Sequence, residues 1–254
     1  MPIIETTLTL PETIPNAIES IIGMTALGQN ALTDLMETWN DITKHLANAD
    51  YWKAKGKEYG DRNWPVPVDA GDENIRTWIQ IKDSNDFNLQ MSHYYHDGIS
   101  ISRFDDSKAL NDVNKEFFKE SFRAVEAELY HPALTSLTAI FDGLLYDVAV
   151  KLGNPGKKKG ATQFISRTKL LVGSRKGDKL QTLHARTISL LQFNESFAGN
   201  IDFTDRVGAH QLNRHWLMHG RTERPCTLMD YLQLLSFLDV LVDIHRVVNL
   251  GGNP

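Results

Sequence analysis

Cysteine is almost missing from this chain. Cys226 is the single one among 254 residues, which rules out an internal disulfide framework and fits a reducing compartment. Long apolar runs are missing too. The longest, Leu232 to Ile244, is broken by Gln233, Ser236, Asp239 and Asp243, so no membrane span is expected. The start, Met1-Pro2-Ile3-Ile4-Glu5, lacks the basic region and apolar core of a secretory signal. Repeats and low-complexity tracts are absent as well. A P-loop is not found: Gly153-Asn154-Pro155-Gly156-Lys157-Lys158-Lys159-Gly160 is rich in glycine and lysine, but it lacks GxxxxGK[ST] and a preceding apolar strand. It reads as a basic loop. These absences lead to the expectation of a cytoplasmic globular protein, not associated with membranes and needing no cofactor.

A surplus of basic charge is also lacking, since the net charge is −5. Its distribution is uneven, however. Between Lys151 and Arg186 ten basic residues, among them Lys157, Lys158, Lys159, Arg175 and Lys176, face only Asp178, giving that segment +9 and the remainder −14. Such asymmetry suits a face for phosphates. It equally suits solvated, glycine-containing loops whose lysines serve solubility.

Apolar spacing reads as helix along most of the chain. Thr7-Leu8-Thr9-Leu10 is a short extended alternation, and helical periodicity follows from about Pro15 to Ala54. Gly60-Asp61-Arg62-Asn63-Trp64-Pro65-Val66-Pro67 interrupts it. Ile75 to Ile81 fits a strand or a short helix. Ser84-Asn85-Asp86 marks a helix start before Phe87, Leu89, Met91, Tyr94 and Tyr95. His93 and His96 flank the two tyrosines, a pattern that fits a packed aromatic cluster better than a ligand site. Further helices are expected over Phe117–Leu129, ending near Tyr130-His131-Pro132, and over Leu134–Val148. Shorter ones follow over Phe164–Val172, Leu180–Leu191, about Thr204 to His219, and Thr227–Val248. The predicted fold is all-α: a mainly helical N-terminal region, residues 1–109, and a C-terminal helical bundle, residues 110–254.

One stretch stands out chemically: His210-Gln211-Leu212-Asn213-Arg214-His215-Trp216-Leu217-Met218-His219-Gly220-Arg221. In a helix, His215 and His219 share a face one turn apart, and Arg214 swings its long side chain into the same space. Gly220 stands where a helix takes a left-handed cap, and Pro225 prevents an uninterrupted run onward.

Arg214-His215-Trp216-Leu217-Met218-His219 resembles the Arg-X4-His motif of the HEPN superfamily, whose members are often metal-independent ribonucleases. The flanks, Leu212-Asn213 and Gly220-Arg221, look like a branch of bacterial HEPN proteins, some tied to phage defence. Arg62-Asn63-Trp64-Pro65 resembles an Arg-Gly-Trp-Pro linker upstream of the nuclease domain in such proteins, with Asn63 in place of glycine. Asp142, before Gly143-Leu144-Leu145, stands where similar proteins often carry an acidic residue. It is aspartate here, where glutamate is commoner.

The resemblance implies a HEPN-like bundle and RNA cleavage by 2′-hydroxyl attack, leaving a 2′,3′-cyclic phosphate and a 5′-hydroxyl. A histidine moves protons near neutrality, and an arginine braces phosphoryl oxygens. His219 is then the proton-transfer residue and Arg214 the transition-state clamp. His215 orients His219 or meets phosphate, and Asn213 holds substrate or arginine. Asp142 either pairs with Arg214 or simply faces solvent on its helix. Lys157, Lys158, Lys159, Arg175, Lys176 and Arg221 are the expected phosphate contacts. The plain alternative is that Arg214 and His219 only solvate a helix end, where the macrodipole favours cations.

Zinc is a competing chemistry, since His215 and His219 lie at i, i+4 with His210 upstream. A HExxH glutamate is missing, position 216 being tryptophan, so no metal is expected. The implied setting is phage defence or a toxin-like system, with RNA and an antitoxin or defence protein as partners. An inactive HEPN module that binds RNA or protein is the alternative. Finally, apolar residues from Leu228 to Val248 cover more of the last helix than one stripe needs, and the resemblance implies dimers that place two motifs across one interface. A two-fold homodimer with Arg214 and His219 of each chain facing one cleft is therefore predicted, the alternative being a helix central to its own bundle.

Overall fold

The computed structural model describes residues 50–98, 101–151, 178–197 and 212–250. The expected N-terminal arm and most of the first helix lie outside these residues. So do the short helix near 164–172 and residues 204–211 of the expected motif helix. The chain divides into two units, Met1–Asn48 and Ala49–Pro254, and every described residue belongs to the second. Among the described residues every regular element is a helix, so the fold is all-α as expected. No helix among them is long and apolar enough to cross a membrane.

The order is α1 (residues 50–61), α2 (Asp72–Trp78), α3 (Ser84–Gly98) and α4 (Ile101–Asp105), then α5 (Asp112–Glu126) and α6 (Tyr130–Lys151). They are followed by α7 (Asp178–Phe197), α8 (Arg214–Met218) and α9 (Leu228–Leu250). Helices α6 and α9 form the central pair. α5 packs on α6, α7 and α3 pack on α9, and the short α8 packs on α6. The rings of Phe193 and Phe237 stack at 4.0 Å, with Phe141 edge-on to Phe193 and Phe197. Residues from both sides of position 110, from Trp52 and Trp64 to Leu241, join one apolar cluster.

Residues 230–242 of α9 are buried without a break, including Gln233, Ser236 and Asp239. Its apolar circumference is thus covered within the chain, and the helix is central to its own bundle. The homodimer expected from that circumference loses this ground.

Several local elements differ from the expected ones for identifiable reasons. Ile75 to Ile81 is not a strand. Ile75 and Ile79 point inward at i, i+4 at the end of α2, both buried. The cap of α3 is Asp83, one residue before the expected start, and its carboxylate accepts from the backbone N–H of Asn85 and Asp86 at 2.8 and 3.0 Å. Tyr130-His131-Pro132 opens α6 rather than ending α5. Proline is tolerated in a first turn because its missing N–H has no helical partner there. The tyrosines of α3 pack as expected: Tyr95 stacks on Trp64 and Tyr94 leans on Trp78, while His93 and His96 are exposed.

Three helices end in one geometry. After α1, α5 and α8 the left-handed position is filled by Asn63, Glu128 and Gly220, with φ of 59°, 57° and 62°. Each time two backbone N–H groups fold back onto the last turn. Asn63 and Trp64 donate to Gly60 and Tyr59, Glu128 and Leu129 to Val125 and Ala124, and Gly220 and Arg221 to Leu217 and Trp216. This is the Schellman arrangement. It explains Asn63: the position demands positive φ, and asparagine adopts it more readily than most residues.

Trp64 to Pro67, resembling a linker in sequence, is a buried strap. Trp64 Nε1 donates to Asn88 Oδ1 at 2.8 Å. Arg186 donates to the carbonyls of Pro67 and Val68 and reaches Asp243. Arg186, the last cation of the basic segment, is in the fold a part-buried clamp on this strap. Next to it, α1 approaches α7 so closely that a Cβ on Gly56 would meet the Ala185 carbonyl at 2.4 Å.

Candidate active site

The motif lies on α8, a helix of only five residues that starts at Arg214. Leu212 and Asn213 are not helical, so the helix expected from Thr204 does not run into the motif. Asn213 is extended, with φ −132° and ψ 129°, and its side chain accepts from the backbone N–H of His215 and Trp216. Its amide N–H donates to the Ser196 carbonyl at 3.0 Å. Asparagine is a preferred N-cap for this reason. Buried and bonded to backbone, Asn213 positions α8. Gly220 closes the far end as the left-handed cap, as its place in the sequence suggested.

A helix this short is held by what it buries. Trp216 and Leu217 enter the interior, while Arg214, His215, Met218 and His219 are left partly or fully exposed. Because α8 rests on α6, this outer side meets Asp142. Arg214 Nε lies 2.5 Å from Asp142 Oδ2, the two side chains being 42% and 31% exposed. The rings of His215 and His219 meet edge-to-face, 5.1 Å between centroids and 79° apart. Arg214 occupies the first helical position, where a cation gains nothing from the helix dipole; the carboxylate of Asp142 holds it.

Burial pushes the Asp142 carboxyl above its ordinary value, and the charge and hydrogen bond of Arg214 pull it back only in part. The closest approach of the pair is between Arg214 Nε and Asp142 Oδ2, and the terminal nitrogens of a guanidinium are the part suited to phosphoryl oxygens. Beside the pair, Tyr146 stands one turn beyond Asp142 on α6 and is 62% exposed, and Met218 stands one turn beyond Arg214. Sequence reading passed over Tyr146. Its only signal was its place four residues after Asp142 on the polar side of α6.

The structure therefore brings together Arg214, His215, His219 and Asp142, with Asn213 as the support beneath them. Arg221 follows on the exposed side of the cap, its backbone N–H bonded to the Trp216 carbonyl. Lys157, Lys158, Lys159, Arg175 and Lys176 lie outside the described residues, as does His210. Among the described residues no group of three His, Cys, Asp or Glu side chains gathers in a metal-binding arrangement. No family model, curated protein or solved structure matches the chain.

Proposed function

We propose that this protein is a metal-independent RNA endonuclease of the HEPN type, acting in the cytoplasm in phage defence or a toxin-like system. The observation that carries this reading is the anchored Arg214: a partly exposed guanidinium held by Asp142 on the turn that pairs His215 with His219. In the proposed reaction His219 handles the proton transfers, and the terminal nitrogens of Arg214 brace the phosphoryl oxygens as charge develops. The ribose 2′-oxygen loses its proton and bonds to phosphorus. The bond from phosphorus to the 5′-oxygen breaks, and that oxygen gains a proton. The products are a 2′,3′-cyclic phosphate and a 5′-hydroxyl. His215 orients His219 through the edge-to-face contact.

The basic segment and Arg221 are proposed to hold the RNA backbone, and a homodimer is proposed to complete the site. With α9 enclosed, the dimer rests on the open rim around α8, where Tyr146 and Met218 are exposed. The same two exposed groups favour the second reading, an inactive module that docks RNA or a protein partner such as an antitoxin. The deciding experiment incubates the purified chain with mixed RNA in EDTA beside the Arg214→Ala/His219→Ala double variant. Cleavage by the wild type alone, leaving cyclic phosphate ends, supports the nuclease. Binding without cleavage favours the module, and cleavage that EDTA abolishes and Zn²⁺ or Mn²⁺ restores refutes the mechanism.

A further inference from the structure

A cleft of about 410 Å³ opens between the turn after α4 and the C-terminal part of α9. That volume falls within the roughly 300–1,000 Å³ typical of small-molecule sites. Arg103, Asp106, Ser107, Lys108, Ala109, Val242, His245 and Arg246 line it. The turn is fixed locally: Ser107 N–H donates to the Phe104 carbonyl, and Ala109 N–H donates to Ser107 Oγ. Leu110, just after it, is buried. On the other wall Val242 and His245 are also buried, which sets Arg246 at the mouth on the last turns of α9.

The cations of this cleft differ in what they already hold. Arg103 contacts Asp69, and its Nε lies 2.6 Å from Asp239; its charge is largely matched. Among the described residues no ion pair is formed by Lys108 or Arg246, although Arg246 is near enough to Asp239 to favour its charged form. Both are exposed. Two cations over an apolar wall of Val242 and Ala109 match a ligand with two negative charges and an organic body. A carboxylate carries only one charge, whereas a phosphomonoester near neutrality carries close to two. Asp106 on the rim opposes such a ligand and limits its affinity.

We propose that this cleft binds a small phosphomonoester, its phosphate between Lys108 and Arg246 and its organic body against Val242 and Ala109. Ser107 is positioned by the turn, and Arg103 stays with its aspartates. The site is separate from the Arg214 cluster and does not rest on the nuclease reading.

The test is calorimetric titration of the full chain, at low ionic strength, with adenosine 5′-monophosphate, ribose 5-phosphate, glycerol phosphate, inorganic phosphate and adenosine. Saturable binding by at least one phosphomonoester, tighter than inorganic phosphate and weakened by salt, is expected. Adenosine should not bind. Lys108→Ala/Arg246→Ala should weaken the phosphomonoester at least about tenfold, the loss expected for charge-assisted hydrogen bonds, with an unchanged unfolding temperature. Asp106→Asn should tighten it, and Arg214→Ala should leave it unchanged. Lack of saturable binding at millimolar concentration overturns the proposal. So does adenosine binding as tightly as its phosphate, unaltered affinity in the double variant, or loss of binding in Arg214→Ala.

Discussion

Arg214 and Arg224 lie close together in sequence, and each pairs with an aspartate in a different setting. Arg224 grips Asp230 with both terminal nitrogens, Nη1 to Oδ2 at 2.8 Å and Nη2 to Oδ1 at 2.5 Å. The same carboxylate accepts from the backbone N–H and the hydroxyl of Thr227, and Thr227 Oγ1 accepts from Asp230 N–H. This is a capping box at the start of α9, with aspartate in the role usually taken by glutamate. Arg214 comes closest to Asp142 through Nε, on a turn of five residues, in a partly exposed setting. In the first pair both terminal nitrogens and the carboxylate are engaged at a helix start. In the second a partly exposed arginine is anchored on the turn that carries two histidines. On the proposed reading the first pair is structural and the second preparatory.

The largest expected effect separates the two pairs by readout. Arg214→Ala should lower RNA cleavage by about 10²–10³, the usual loss when one transition-state donor is removed, while thermal stability stays close to wild type. His219→Ala should reduce cleavage by a similar factor and leave RNA affinity nearly intact. If either variant unfolds well below the wild-type temperature, the site is structural and the contrast with Arg224 collapses.

Arg224→Ala is expected to do the reverse. It leaves a buried carboxylate with only the Thr227 donors, and breaking such a part-buried pair should cost about 2–3 kcal/mol. Chemical denaturation checks the figure. A loss under about 0.5 kcal/mol would make the capping box, not the arginine, the element that secures α9.

Acid should sharpen the comparison next. Because burial lifts the Asp142 carboxyl, the folded chain holds a proton there at pH values where the unfolded chain has lost it. Its contribution to stability is therefore greatest in acid and falls as pH rises through that raised value. Anchoring runs the other way, since only the carboxylate holds Arg214. Cleavage should accordingly decline on the acid side as Asp142 is protonated. Asp142→Asn should be at least as stable as wild type at neutral pH, cleave about tenfold more slowly, and lose that acid limb. A pH–rate profile with the limb intact in Asp142→Asn would assign it to another group.

How much of this was legible in the sequence depends on the range of the forces involved. Local rules located Gly220 and the end of α8 correctly, because a left-handed cap is decided by neighbouring residues. They did not reach the start of α8, because the capping role of Asn213 depends on an extended backbone and on Ser196 from another helix. Tyr130-His131-Pro132 was read as a stop because proline breaks helices, although it also opens them. The pairing of Asp142 with Arg214 came from resemblance, not from spacing, as the two are far apart in the chain and meet only where α8 packs on α6. Arg186 and the cleft at Lys108 and Arg246 were out of reach for the same reason. The apolar girth of α9 was visible, but choosing between a partner chain and its own bundle needed α3, α6 and α7 around it.

The smallest expected effect concerns the cap that holds the site turn open to solvent. Gly220 and Glu128 take the same left-handed conformation, φ 62° and 57°, at the ends of α8 and α5. A side chain there costs about 1 kcal/mol relative to glycine. The space around Gly220 is open, with nothing within 4 Å of an added Cβ, so Gly220→Ala should lose only that backbone cost. In a helix of one turn, the loss should also loosen the contact of His215 with His219 and lower cleavage severalfold. Glu128→Gly should gain about 1 kcal/mol from the same strain with cleavage unchanged, since α5 carries none of the site. Equal and opposite shifts in denaturation midpoint, with activity altered in the first variant alone, would show that the two caps share one energy and differ only in what they support. A Gly220→Ala protein of undiminished activity would mean that Trp216 and Leu217, buried under α8, suffice to hold the histidines in place.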